Sequence, residues 1–397
     1  MYIIQSAGHK PRKNLMLSAA AMSVAFLVGA CSPAPQQAEP IRIGATMSET
    51  GAYYVQGRAA KRGYELCAKH LNEQGGILGR QVDYMIYDDA SDTEQAVERY
   101  QYLVQSGNYD LVMGPYGSTL TEAVAPVTEA AQKVLISPLG ATTSIWEQGR
   151  EYLFMVLPPA EVFLAGLVHM ADDHGLSRIA VISESSLFPE AVRSGAVELA
   201  EDLGMNVLLD ESYPAGTEDF NGLARRMGEL QVEVVAMAAS TLSNFASMIE
   251  ALDQQGIKVR MFGTSGAVQE FYDQLGDKAE GVFGLSAWEP QIPIPGAAEF
   301  AQAFQSEYGI APSFHAAGGY GSCMLFAEAI EKAGNLRDND IRNVLLGLKT
   351  TTIFGPFEVD ERGYQIANQG VMIQWRNGQK VIVWPEAVAE QAPVISD

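Results

Sequence analysis

Two stretches of the chain carry residue types suited to holding a polar ligand: Gly114-Pro115-Tyr116-Gly117-Ser118-Thr119 and Ser137-Pro138-Leu139-Gly140-Ala141-Thr142-Thr143. Each follows a short apolar run, at 109–114 and 134–137. In an open α/β sheet, ligands lie beyond the carboxyl ends of the strands, and the first turn of a helix presents N–H groups that have no intrahelical acceptor. Ser118 and Thr119 add hydroxyls at that point, so the chemistry on offer is recognition of an anionic or polar group. Ser118 and Thr142 would serve equally as helix caps, a frequent use of Ser and Thr, and the sequence leaves both roles open.

Bond-breaking chemistry has little to draw on. The five histidines, His9, His70, His169, His174 and His315, lack metal-ligand spacing; even His169 and His174 are five apart and off one helical face. No Gly-x-Ser-x-Gly elbow, Walker loop or Gly-x-Gly-x-x-Gly turn stands at a strand-to-helix junction. The acidic run Asp88-Asp89-Ala90-Ser91-Asp92 has neither the alternating ligands nor the central glycine of a calcium loop, while either Ser91 with Glu94 or Asp92 with Gln95 suits a helix N-terminus. The expectation is a protein with no catalytic residue, no metal and no cofactor.

The elements that must position Ser118 and its neighbours alternate along the chain. Apolar runs at 41–47, 81–87, 109–114, 134–137, 178–183, 206–211, 233–239, 260–263 and 281–286 predict strands, and segments of helical period lie between them. Ile179-Ala180-Val181-Ile182 and Val234-Val235-Ala236-Met237 are continuous apolar runs, as parallel strands buried on both faces should be. The fold class is α/β. Nine strands are too many for one compact sheet, and 397 residues suggest two domains of roughly 150–200 residues. Pro-rich breaks at Leu157-Pro158-Pro159, 288–295 and Phe354-Gly355-Pro356 predict a chain that crosses between two lobes three times.

The first 30 residues carry Lys10, Arg12 and Lys13, no acid, and an apolar run at 15–30 that ends in Val28-Gly29-Ala30 before Cys31. That is the layout of a secretory signal, too short for a bilayer-spanning helix. Val28-Gly29-Ala30-Cys31 resembles a bacterial lipobox, so the expectation is a signal peptide over 1–30, lipidation of Cys31, and a Pro-rich tether over 31–40 that holds the protein at a membrane surface. Net charge is −22, with 48 acidic against 26 basic residues and no basic stripe, which excludes nucleic acid as a partner. Of the remaining cysteines, Cys67 and Cys323 both fall in helical segments; their spacing gives no evidence of pairing and favours two buried thiols.

Taken in order, several motifs resemble the Leu/Ile/Val-binding family of periplasmic solute-binding proteins. They are Ile43-Gly44-Ala45-Thr46-Met47-Ser48-Glu49-Thr50-Gly51, Leu71-Asn72-Glu73-Gln74-Gly75-Gly76, Tyr87-Asp88-Asp89-Ala90-Ser91-Asp92, Gly114 with Ser118, Ser137-Pro138, Ala316-Ala317-Gly318-Gly319-Tyr320 and Phe354-Gly355-Pro356-Phe357-Glu358. The resemblance runs from residue 41 to about 384. It implies two Rossmann-like lobes with parallel sheets and three hinge crossovers, lobe 1 over 41–157 and 289–355, lobe 2 over 158–288 and 356–397. It further implies a monomer that closes on a small molecule and delivers it to an ABC-type permease, or, in a sensory variant, reports its presence to a regulator.

By the same resemblance the ligand-binding positions are Ser118 and Thr119, then Leu139, Ala141 and Thr142 after the next strand, and Phe188, Ser240 and Ser265 in lobe 2. Tyr53, Tyr54, Tyr116, Phe188 or Trp288 would pack on an apolar or aromatic part of the ligand, and Trp288 would serve equally to stiffen the second hinge alone. Ser265 stands where amino-acid-binding members have the acid that holds the α-ammonium. A desolvated ammonium without a carboxylate costs several kcal/mol, out of about 8 kcal/mol for micromolar binding. The expected ligand is therefore a small carboxylate or amide without an ammonium, unless Glu184 takes over that role.

Overall fold

A computed structural model describes residues 38–396. The expected signal peptide, Cys31 and the expected tether up to residue 37 lie outside the described residues. Strands β1 (Ile41–Met47), β2 (Val82–Asp88) and β3 (Leu111–Val112) form a parallel sheet in the order β2-β1-β3. Strands β4 (Leu135–Ser137) and β5 (Leu153–Met155) form a parallel pair beside it, and the Gly114 N–H donates to the Ile136 carbonyl at 2.9 Å across the gap.

The larger sheet contains β6 (Arg178–Glu184), β7 (Asn206–Tyr213), β8 (Val234–Ala238), β9 (Met261–Thr264) and β10 (Phe283–Ser286), all parallel. After the small antiparallel pair β11 (Thr350–Thr352) and β12 (Gly355–Phe357), the chain adds β13 (Val371–Arg376) and β14 (Gln379–Trp384). The order of the seven strands is β14-β13-β10-β9-β8-β6-β7. The sheet is thus parallel at its core and closed at one edge by an antiparallel hairpin that the sequence reading did not assign. Its turn, Asn377-Gly378, has both residues at positive φ, the geometry that matches the twist of a two-residue hairpin. Every residue of β8 is buried, and only Arg178 of β6 is not, so the continuous apolar runs are indeed strands covered on both faces.

The first sheet is covered by the helices Tyr54–Glu73 and Phe314–Ala333, which pack against each other. Their contact is close because glycines lie in it: a Cβ on Gly63 would fall 2.2 Å from the Ala316 carbonyl oxygen, and one on Gly319 would fall 2.4 Å from that of Ala60. This approach brings Cys67 and Cys323 to a Cα separation of 6.2 Å, and they form a disulfide. The expectation of two free thiols is corrected; a sequence separation of 256 residues carries no information about a contact that is set by small residues elsewhere on the two helices.

Three passages connect the two groups of strands: after β5, after β10 and after β12. They run together, with Met155 N–H donating to the Gly363 carbonyl at 2.9 Å. Gln365, fully buried, donates through Nε2 to the carbonyls of Val156 (3.3 Å) and Pro356 (3.4 Å) and accepts at Oε1 from the N–H of Ala367 (2.9 Å). Trp288, on the second passage, is buried and donates its indole N–H to the Ile353 carbonyl at 2.8 Å.

Loss of the disulfide should weaken this fold. Chain-entropy arguments give about 5 kcal/mol for a loop of this length, and native disulfides typically contribute about 2–5 kcal/mol. We expect the double variant Cys67→Ser/Cys323→Ser to show a lower denaturant midpoint, with thiol reductant shifting the parent protein toward it and leaving the variant unchanged.

Candidate functional site

One cavity gathers loops from the carboxyl ends of both sets of parallel strands, the place where open α/β sheets bind ligands. Tyr53 follows β1, Ser118 follows β3 and Leu139 follows β4; across from them Phe188 follows β6, Ser240 follows β8 and Ser265 follows β9. The space between them comes to roughly 770 Å³ when its open mouth is counted.

The acidic run places the first of these side chains. Asp89 accepts from the hydroxyls of Thr46 (2.7 Å) and Ser48 (2.6 Å), and Asp88 accepts from Glu49 N–H (2.9 Å) and the Thr50 hydroxyl (2.7 Å). The Tyr53 N–H donates to Ser91 Oγ at 3.0 Å. Two carboxylates and a serine therefore hold the loop from Ser48 to Tyr53, and with it the start of the helix Tyr54–Glu73. Asp92 caps the following helix by accepting from Gln95 N–H at 2.8 Å.

Ser118 opens the helix Ser118–Ala130, but Gly117 occupies the N-cap position, with φ 75°. Ser118 is therefore not a cap. Its Oγ accepts from the N–H groups of Ala141 (3.0 Å) and Thr142 (3.3 Å), which occupies its lone pairs and leaves its proton for an acceptor in the cavity. The loop that supplies those N–H groups is fixed in turn: Ser137 Oγ accepts from Gly140 N–H at 3.1 Å and meets Thr121 Oγ1 at 3.1 Å.

Seven of the expected contact residues line the cavity: Tyr116, Ser118, Thr119 and Leu139 on one side, Phe188, Ser240 and Ser265 on the other. Four do not. Ala141 and Thr142 are buried away from the lining because their N–H groups are turned onto Ser118. Tyr54 is 49% exposed under the Arg58 guanidinium, since it lies one residue further along the chain than Tyr53, which does line the cavity. Trp288 packs edge-on against Phe300 in the second passage, tied to Ile353.

Other lining residues escaped the sequence reading, among them Gln56, Phe163, Phe245, Phe314 and His315. Phe314 and His315 begin a helix that was expected only from residue 318, and Gln56 lies in the first turn of one expected only from residue 58. The rings form two groups. Tyr53 and Tyr116 lie 5.6 Å apart, Tyr116 and His315 5.7 Å apart, and across the cavity Phe163 meets Phe188 edge-on at 5.0 Å.

Among the described residues, no Asp, Glu, Lys or Arg lines this cavity. Glu184 lies outside the lining, buried, accepting from Ser186 Oγ at 3.0 Å, and Ser186 Oγ meets Ser240 Oγ at 3.1 Å. Burial first, then the charge of Glu184, raises the Tyr53 phenol above its usual pKa, and burial raises that of Tyr116. Burial, with a smaller push from the charge of Lys380, lowers His315 to about 3. The imidazole is thus neutral at physiological pH and contributes no positive charge to the site.

That depression sets a pH dependence. Below about 6.5 the unfolded chain takes up a proton at His315 that the folded chain refuses until about pH 3, so this residue's contribution to stability is present above 6.5 and is lost as pH falls. The expected loss between pH 7 and pH 5 is about 2 kcal/mol. Urea unfolding at the two pH values should show it, and His315→Phe should lessen the difference.

Comparison with known proteins agrees with this layout. A family model described as periplasmic binding protein matches residues 40–380. The "Leu/Ile/Val-binding protein homolog 7" of Brucella suis biovar 1 (strain 1330) is 26% identical over 392 residues, covering 93% of this chain and 96% of the relative. Among solved structures, the branched-chain amino acid transporter substrate binding protein LivJ of Streptococcus pneumoniae, in complex with isoleucine, superposes with a TM-score of 0.77 at 22% identity, over 86% of this chain and 97% of its own. The leucine binding protein LivK of Thermotoga maritima does so with a TM-score of 0.78 at 19% identity, over 86% and 97%. With the family model spanning nearly the whole described chain and the cavity at the carboxyl ends of the strands, this protein belongs to the periplasmic binding protein family, has its type I fold and is not an enzyme.

Proposed function

We propose that the protein is an extracytoplasmic lipoprotein that captures a small polar ligand between two lobes and delivers it to an ABC-type importer. The observation that carries the ligand site is Ser118, whose oxygen is filled by two backbone N–H groups so that its proton is aimed at an acceptor in the cavity. With the Thr119 hydroxyl and the N–H groups of the helix's first turn beside it, it suits a carboxylate or carbonyl oxygen.

The lobes in this reading are 41–157 with 289–355, and 158–288 with 356–397, hinged at the three passages around Gln365. Ligand contacts to Ser118, Tyr53 and Tyr116 on one lobe and to Phe188, Ser240 and Ser265 on the other exist together only when the cleft is shut, so the ligand favours the closed form. The protein works as a monomer, and the closed form is the shape a permease reads. Cys31, once acylated, keeps it at the membrane surface without a spanning helix.

The names of the relatives refer to leucine, isoleucine and valine. In this chain the cavity lining offers no carboxylate to an ammonium, which favours a ligand that lacks one.

Ser118→Ala should weaken binding by about 10- to 150-fold, the equivalent of about 1.5–3 kcal/mol for a hydrogen bond to a charged group. Calorimetric titration of ligands found by a thermal-shift screen of carboxylates, amides and amino acids measures this; an unchanged affinity would remove Ser118 from the site. For the anchor, Cys31→Ala should move the exported protein from the membrane fraction to the soluble one.

A further inference from the structure

Among the described residues that line the cavity, the Oε1 of Gln56 is the one buried side-chain polar atom without a hydrogen-bond partner. Gln56 itself is only 7% exposed. Four of the other polar side chains at the lining are engaged: Ser118 with Ala141 and Thr142, Ser240 with Ser186, Ser265 with the Ala239 N–H at 3.3 Å, and Thr241 with Asn244 Oδ1 at 2.7 Å. Folded proteins rarely leave such an atom unpaired, and a buried unpaired acceptor at a binding cavity is a demand for a donor on the ligand.

The rest of the lining limits what that donor is. With no anionic side chain at the cavity wall, an ammonium or guanidinium would be desolvated without a partner, so the donor is an uncharged O–H or N–H. The body that carries it lies between the Tyr53–Tyr116–His315 group and the Phe163–Phe188 pair, surfaces that favour the offset or edge-on contacts of a flat ring. We infer that the ligand is an aromatic carboxylate whose ring bears a hydroxyl or neutral amino group, with Gln56 as the specificity-determining acceptor for that group. The inference rests on the receptor reading above for the carboxylate end at Ser118, and adds the ring and its donor.

Calorimetric titration of the full chain with 3- and 4-hydroxybenzoate, the matching methoxybenzoates, 4-methyl-2-oxopentanoate and L-leucine tests it. The expected result is that at least one hydroxybenzoate binds about tenfold or more tightly than its methoxy counterpart, and that this ratio falls to about one in Gln56→Met. The hydroxy-to-methoxy comparison in the unaltered protein needs no variant to fold. Equal affinity for the two overturns the donor requirement, and a ratio that survives in a folded Gln56→Met removes Gln56. Tighter binding of leucine or 4-methyl-2-oxopentanoate than of any aromatic acid overturns the ring while leaving the receptor reading standing. Absence of binding by these compounds and by the whole carboxylate, amide and amino-acid screen overturns the receptor reading itself.

Discussion

The fold depends on three backbone passages lying side by side with their polar groups satisfied away from water. A buried carbonyl or N–H that loses its partner costs as much as the hydrogen bonds that hold a small element in place. Gln365 meets that constraint with one amide, donating to carbonyls of the first and third passages and accepting from the chain just beyond. Because the passages are fixed to one another there, the strand ends on either side face a common space. The cavity is a consequence of that crossing before it is a matter of any lining side chain.

Charge is distributed with the same economy. The chain is strongly acidic, yet the cavity has no ionised side chain in its wall, and its one titratable ring of low pKa, His315, is neutral. Asp88 and Asp89 act at a distance from the ligand: their oxygens collect N–H and hydroxyl donors from the loop that leads to Tyr53 and Gln56. A cluster that on composition alone invites thoughts of a cation works as a clamp on the backbone. The ligand-facing polarity comes instead from hydroxyls and one amide, groups whose strength depends on how fully their other bonds are taken up.

Much of this was legible in the sequence. The continuous apolar runs mark β6 and β8, and the strand-to-helix junction at Gly117-Ser118 marks a loop that lines the cavity, because buried parallel strands and their carboxyl ends leave a local signature. What was not legible depended on phase or on distant contacts. Tyr53 and Tyr54 are adjacent, and a shift of one residue in a helix start decides which of them faces the cavity. Ala141 and Thr142 lie at the expected turn, but their N–H groups donate to Ser118 and neither lines the cavity. The hairpin β13–β14 carries a strong turn signal in Asn377-Gly378, but its antiparallel pairing with β10 is a distant contact that no local pattern encodes. Cys67 and Cys323 could be joined only by knowing that Gly63 and Gly319 let two helices touch.

That helix contact also orders the making of the molecule. The helix Tyr54–Glu73 belongs to the beginning of the chain and its partner Phe314–Ala333 to the last quarter, with the five parallel strands of the larger sheet encoded between them. In chain order, the first of these helices has no partner for its glycine-lined face until the intervening strands have been produced. The first-made helix is therefore paired only after that interval, and Cys67 has no Cys323 to meet until the chain has reached the second helix. Whatever keeps the emerging chain from premature contacts matters most for this early helix.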